Sequence, residues 1–461
     1  MTSNMCNRFG AALIFFFVLS LPAGAQETEP PRERGGESGQ FRERSGVDVI
    51  TFEPHMFIDE SGDVRIDILY RIRYDFFVFT RDAANNSPWY RAYGDVLIEL
   101  TDSTETGVSR KVHSIGMKAG NNEYQQLRGE YYQGAATFIV HPGRYTALYR
   151  VEDKESKREF VSKKEIVRVL PFPAKAFVKS TVVFVDPVDN PWLAHTFTAL
   201  NFNNAANFSK STGTFITVSN TVVTPAVRYS VTQILPEGKE RVVVQKDTAA
   251  TATLFPNSIL ALDPTSSKTV EYFLDTTKAT ATVYFPLATA KLKQGRYVAR
   301  IHISAPETST VTQEFSIRWN DMPLSLYDLD FAITAVRYIA TDDEFDELQS
   351  GNRMKRIKSF DAFWEKRAPS SSTAYNQVMA EYYRRVDYAF TNFRTLKEEN
   401  GVLTDRGRIY ILNGKPSNIE RVFAPGGPPT EIWTYASPKK RYIFEDPSRQ
   451  GNYKLMTTET K

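Results

Sequence analysis

Cysteine is all but missing from this chain: Cys6 is the only one. It lies within MTSNMCNRFGAALIFFFVLSLPAGAQ, which reads as an export signal over residues 1–25. Arg8 supplies the positive start, Ala11 to Leu21 the apolar stretch, and Ala23-Gly24-Ala25 a small-x-small cleavage site before Gln26. A chain cut there keeps no thiol, which excludes disulfides and cysteine chemistry and leaves each domain to an ordinary apolar core. Cys6 also comes too early for a lipid anchor, which would directly follow the apolar stretch, where Ala25 and Gln26 stand. Long hydrophobic runs are equally scarce. The signal's own run is about half of what a bilayer-spanning helix needs, and no later stretch approaches it. The expectation is a soluble exported protein of the bacterial periplasm or cell surface, since eukaryotic secreted domains usually carry disulfides.

Histidine is sparse as well: His55, His113, His141, His195 and His302. No two stand at a metal-ligand spacing and none follows His302, which removes a zinc site or a histidine-based triad from the last third of the chain. No metal and no cofactor are expected. Net charge is +3, with lysine and arginine interleaved among acids rather than gathered in a stripe, so nucleic acid is not an expected partner.

What is present divides the chain by pattern. Residues 26–46, ETEPPRERGGESGQFRERSG and its flanks, have the polar, Pro/Gly-rich composition of a disordered leader. From Val47 to Phe172 the residues alternate apolar and polar, as in VRIDILYRIRYDFFVF, DVLIEL, AATFIVH, RYTALYRVE and KEIVRVL, which predicts an antiparallel β-sandwich of immunoglobulin type. Pro171-Phe172-Pro173 interrupts that run, and a second such domain is expected over 173–320. The two share an ending: Gly143-Arg144-Tyr145 and Gly295-Arg296-Tyr297 each open a strand that leads through a turn to a last alternating strand.

Over 321–461 the period becomes helical. Phe345 and Leu348, then Ile357, Phe360, Phe363 and Trp364, mark two helices separated at Gly351, with Asp342 or Asp343 as a cap. Thr373 to Lys397 predicts a long helix whose stripe runs through Tyr375, Val378 or Met379, Tyr382, Val386, Ala389 or Phe390, Phe393 and Leu396. Asn400-Gly401 is the expected helix stop in a left-handed conformation. Arg408–Asn413 then alternates as a strand with Ile409 and Ile411 on one face, followed by strands at 430–436, 441–446 and 452–457. The resulting fold class is multidomain, all-β plus α+β: two tandem antiparallel sandwiches, then helices packed on a small antiparallel sheet.

The charged knot Thr404-Asp405-Arg406-Gly407-Arg408 has two readings. Asp405, Glu420, Glu431 and Asp446 are carboxylates, and a glycan hydrolase needs only two across a cleft, with Asp405 and Glu431 the pair to test. Arg406 and Arg408 can grip an anionic group. The structural alternative has Asp405 accepting backbone N–H groups at a turn and the arginines pairing with it and shielding a sheet edge. Thr404, Asp405, Arg406, Arg408, Trp433 and Tyr435 are the candidate binding residues, with the Tyr442–Phe444 edge beside them.

FWEKRAP, Asn376, AEYYRRVDYAFTNF, GVLTDRGRIYILNGKP and EIWTY resemble the domain named for its Gly-Trp-x-Thr-Asp signature, the GWxTD domain, over roughly Thr341 to Leu455. The resemblance implies an exported bacterial protein with a sandwich before this domain, and supplies no mechanism. Val402 stands where that family has Trp, and Ala368 where it often has Asp, which fits packing better than sugar stacking or essential chemistry. The leading expectation is a non-enzymatic envelope protein whose sandwiches form an arm and whose C-terminal module docks an envelope protein partner. A cell-wall glycan or peptide hydrolase using Asp405 and Glu431 is one alternative. Glycan binding through exposed aromatics such as Trp89-Tyr90 or Trp192 is another.

Overall fold

The computed structural model describes residues 49–460 apart from 59–61, 82–87, 103–106, 121–126, 128–129, 170–176, 201–202, 209, 236–241, 265–268, 305–307, 320–321, 370–373, 396–397 and 437–438. The export signal, the leader, the Pro171-Phe172-Pro173 boundary and Leu396 lie outside the described residues. The chain divides into two compact units at Arg318/Trp319. No described helix is long and apolar enough to cross a membrane.

The first β region begins with β1 (Ile50–Ile58), β2 (Val64–Arg73), β3 (Thr80–Arg81), β4 (Trp89–Thr101) and β5 (Gly107–Gly120). It continues with β6 (Tyr131–Val140), β7 (Gly143–Asp153), β8 (Glu159–Val161) and β9 (Glu165–Val169). One sheet has the order β1-β2-β6; the other is built on β4 and β7, with β3 and β5 on β4 and β8 and β9 on β7. Ile66, Ile68 and Phe138 from the first sheet share one apolar core with Val96, Ile98, Tyr149 and Val151 from the second.

The second β region runs through β10 (Val183–Val185), β11 (Phe197–Thr198), β12 (Ala205–Asn207), β13 (Thr212–Ser219), β14 (Ala226–Ile234) and β15 (Val242–Ala250). It ends with β16 (Thr253–Phe255), β17 (Ile259–Leu262), β18 (Glu271–Asp275), β19 (Thr280–Leu287), β20 (Gly295–Ser304) and β21 (Thr308–Arg318). The sheets are β10-β13-β19-β16, β12-β21-β20-β14-β15 and β11-β18-β17. The repeat noted in the sequence recurs in detail. Gly143 opens β7 and Gly295 opens β20, and each tyrosine hydroxyl donates to the carbonyl four residues upstream, Tyr145 to His141 at 2.8 Å and Tyr297 to Lys293 at 2.7 Å.

The two β regions are fused within the first unit. Residues 177–181 hydrogen-bond to β1 on one side (Ile58 N–H to Lys179 O, Thr181 N–H to Met56 O) and to β13 on the other (Lys179 N–H to Thr217 O, Ser219 N–H to Phe177 O). A buried polar cluster reinforces the join. His55 Nε2 lies 2.8 Å from Glu53 Oε1, and its Nδ1 lies 3.1 Å from the Tyr272 hydroxyl. The Asn204 N–H donates to the other Glu53 oxygen, from a left-handed pair at φ 56° and 53° for Asn203 and Asn204.

The second unit holds helices α1 (Leu329–Ala335), α2 (Asp342–Gln349), α3 (Arg353–Glu365), α4 (Gln377–Asn392) and α5 (Asp405–Asn413). They are followed by β22 (Asn418–Val422), β23 (Thr430–Tyr435), β24 (Lys440–Glu445) and β25 (Lys454–Thr460), an antiparallel sheet in that order. Tyr383, Val386 and Ala389 of α4 and Ile409 and Ile411 of α5 share a core with Trp433, Tyr435 and Phe444 of the sheet. Tyr382 and Tyr383 bring their hydroxyls into that core by donating to the carbonyls of Ala335 and Ala332.

Three local expectations are corrected here. The residues 408–413 are helix, not strand: Thr404 caps α5, and Gly414 at φ 76° ends it. An apolar run this short carries no decisive period, and the Thr-Asp capping signal should have outweighed the alternation. The long helix stops at Asn392, eight residues before Asn400, and Val378 and Phe390 face outward while Tyr383 is fully buried. Thr341, not Asp342 or Asp343, caps α2, with Glu344 closing a reciprocal capping box.

Candidate functional site

The charged knot is built around two close backbone approaches. A Cβ on Gly401 would stand 2.1 Å from the Ala389 carbonyl oxygen, and one on Gly407 1.9 Å from the Gly401 carbonyl oxygen. Both positions therefore require glycine for space. Gly401 is not left-handed, contrary to the helix-stop expectation. It begins a single 3-10 turn, Gly401–Leu403, capped by the Asn400 side chain. Thr404, 5% exposed, fastens that turn to α5: its hydroxyl donates to Gly401 O at 2.8 Å and accepts from Gly407 N–H at 3.0 Å. Val402 is buried, and its carbonyl accepts from the Tyr338 hydroxyl at 2.9 Å.

Asp405, at the first position of α5, accepts from the Leu455 N–H at 3.0 Å, which ties the helix start to β25. It pairs with Arg408 at 3.6 Å. Arg406 turns inward. Its guanidinium donates to Glu431 at 3.1 Å and to the Gly451 carbonyl at 3.1 Å, and it lies 4.4 Å over the Tyr453 ring. The Glu431 side chain is 3% exposed and receives a second guanidinium from Arg421 of β22 at 3.2 Å. One buried carboxylate thus joins α5, β22 and β23.

The other carboxylates are separately engaged. Asp446 accepts from the Gly451 N–H and the Ser448 hydroxyl; burial alone would raise its pKa, and these bonds with the neighbouring amides of the turn hold it below the ordinary carboxylate range. Glu420 is exposed on β22 and accepts from the Asn418 amide at 3.1 Å. Asp405 and Glu431 do not share a partner: the first holds a backbone amide and Arg408, the second Arg406 and Arg421. Among the described residues no group of acidic, histidine or cysteine side chains is arranged to hold a metal ion.

Trp433 and Tyr435, taken from the sequence as candidate binding residues, are core. Trp433 is 1% exposed and packs on Phe444 at 5.0 Å, while Tyr435 donates its hydroxyl to Gly414 O at 2.9 Å. Alternation along β23 sends Glu431, Trp433 and Tyr435 to the covered face, so neither ring is available to a ligand. Tyr442 and Phe444 are buried beside them. In the first unit, Lys118 sits 4.2 Å over the Trp89 ring, and the exposed Trp192 packs tilted on Phe255.

Sequence reasoning missed β22 and with it Arg421. The signal was there in Asn418-Ile419-Glu420-Arg421-Val422, but placing a strand at 408–413 left these residues to the loop after Gly414-Lys415-Pro416.

A capped helix start clamped to a four-stranded sheet by two arginines on one buried glutamate defines an α+β module. Residues 302–460 match the family model of the GWxTD domain, so this chain carries a GWxTD domain. The match starts within β20, ahead of the second unit. No curated protein matches the sequence. Among solved structures, a similar one is the crystal structure of red sea bream transglutaminase, at 8% identity and a TM-score of 0.17, covering 59% of this chain and 32% of that chain. At that score the likeness carries no argument about fold or activity.

Proposed function

We propose that this is a non-enzymatic exported envelope protein in which two immunoglobulin-type sandwiches act as a spacer and the GWxTD unit docks a polypeptide partner. The matching tyrosine hydroxyl bonds of Tyr145 and Tyr297 support the sandwich reading, because a tyrosine bonded to an upstream carbonyl at a strand start is a recurrent corner of such domains. The observation that carries the docking role is β22. All five of its residues are exposed, in a unit whose neighbouring strands are half buried, and Ile419, Val422 and Phe423 present apolar surface there. Exposed apolar strand edges are surfaces that proteins otherwise protect.

The hydrolase alternative requires two carboxylates facing each other across a cleft. Asp405 and Glu431 are instead committed to a backbone amide and to three guanidiniums between them, which favours the scaffold. Affinity capture from envelope extract tests the proposal, using the full chain, an Ile419→Lys/Phe423→Lys variant, and Met456→Lys on the opposite edge strand as control. A partner retained by the wild type and the control and lost by the β22 variant is expected. Identical capture by all three would remove the docking role from this edge.

A further inference from the structure

We infer that the partner of β22 is an extended polypeptide segment that adds as a fifth, antiparallel strand and carries the pattern apolar–acidic–basic–apolar. This rests on the docking reading above and specifies its chemistry. β22 pairs with β23 on one side, and among the described residues no strand pairs with it on the other. A free ladder of N–H and C=O groups is itself specific: among polypeptide ligands, an extended backbone matches it along its length. The sheet is antiparallel throughout, the pairing that is also the more stable per residue.

The covered layer stops one strand short of the edge. Ile419 and Arg421 face the same side as their cross-strand neighbours Trp433 and Glu431. Those neighbours are buried, whereas Ile419 is 44% exposed and the Arg421 side chain 66%. β22 is therefore an uncovered edge of the sheet, with its apolar and charged side chains in solvent. The other edge, β25, reads Lys-Leu-Met-Thr-Thr-Glu-Thr and is defended by polar side chains.

Charge distinguishes the occupants. A closed two-fold pairing of two copies along this edge must run antiparallel and keep both sheets facing the same way. Residues of equal parity then oppose each other, so a register centred on the strand sets Glu420 against Glu420 or Arg421 against Arg421. Like charges directly opposite are destabilising, which argues against a second copy. A separate segment has no such constraint. An acid opposite Arg421, a base opposite Glu420 and apolar residues opposite Ile419 and Val422 complement every position. Read along the incoming antiparallel strand, that order is apolar, acidic, basic, apolar.

The test is a random-peptide phage library panned on the full chain and, in parallel, on Glu420→Lys and Val422→Lys variants. Both substitutions fall on exposed side chains, so folding is preserved and circular dichroism verifies it. Peptides enriched on the wild type should carry the four-residue pattern, Glu420→Lys should replace its basic position by an acidic one, and Val422→Lys should weaken the enriched peptides at least tenfold. Enriched peptides that lack the pattern, or bind Val422→Lys undiminished, overturn strand addition while the envelope capture still decides the docking role. A concentration-dependent dimer abolished by Val422→Lys would overturn it in favour of a second copy, and failure to enrich any peptide would also overturn it.

Discussion

Replacing Arg406 by alanine should destabilise the GWxTD unit by about 2.5–6 kcal/mol. Glu431 is 3% exposed and holds two guanidiniums. Removing one partner from a buried charge costs about 3–5 kcal/mol when nothing replaces it. Arg421 stays at 3.2 Å, but at 66% exposure it acts through solvent-screened contact and returns only about 0–1 kcal/mol. Loss of the guanidinium over Tyr453 at 4.4 Å adds about 0.5–1 kcal/mol. For a unit of this size each kcal/mol moves Tm by about 2–4 °C, so a fall of about 5–24 °C is expected. Calorimetry of the full chain measures it, and amide exchange at Leu455 and along β23 assigns it to the second unit. Arg406→Met combined with Glu431→Leu removes both inward-facing charges and should recover most of the loss. A single-variant cost under about 1 kcal/mol, or a double variant no better than the single, would refute this account of the clamp.

Gly401→Ala should cost more than about 3 kcal/mol, because its Cβ meets the Ala389 carbonyl at 2.1 Å and the Arg394 amide nitrogen at 2.7 Å, backbone atoms that cannot turn away; urea unfolding followed through tryptophan fluorescence reads it. Thr404→Ala should cost about 1–2 kcal/mol through the lost cap on Gly407, and Thr404→Ser should retain most of it. In the first unit, burial alone would raise the Glu53 carboxyl, but the His55 bond and the Asn204 and Asn203 amides hold it below its ordinary value of 4.5. A depressed folded-state pKa contributes stability that is complete above the unfolded value and is lost as pH falls through the folded one. Glu53→Gln should therefore flatten the acid-side decline of the first unit's stability below about pH 4.5, measured by calorimetry across that range; an unchanged slope would place the loss elsewhere.

Much of the architecture was legible because burial on one face imposes a period. Residues 95–100 alternate and lie in β4 with Val96, Ile98 and Leu100 buried, and the repeated Gly-Arg-Tyr marks strand starts with the same tyrosine bond. The α4 stripe through Tyr382, Val386, Ala389 and Phe393 is core. The failures fall where period is weak or misleading. Residues 408–413 alternate apolar and polar, yet both Ile409 and Ile411 are buried in a helix that is covered on more than one side. β22 was missed because a strand exposed on both faces has no apolar period to detect. Trp433 and Tyr435 drew attention as aromatics near charge, and only their alternation along β23 shows that both point into the core.

What the sequence determined by itself was composition and its consequences: the lack of thiol chemistry beyond Cys6, the lack of histidine after His302, the β-then-α+β order of elements, and the GWxTD signature with valine in place of tryptophan. These follow from local residue identity and short-range period, which one dimension records in full. Tertiary structure alone decided the partners of the charged knot. Arg406 reaches Glu431 and Gly451 across 25 and 45 residues, Asp405 reaches Leu455 across 50, and Arg421 meets Glu431 only because β22 pairs with β23. It also made glycine obligatory at Gly401, through α4 backbone atoms that approach it only once the chain has packed back on that helix. Long-range pairing depends on which surfaces meet once the elements pack, and no residue's own identity carries that information.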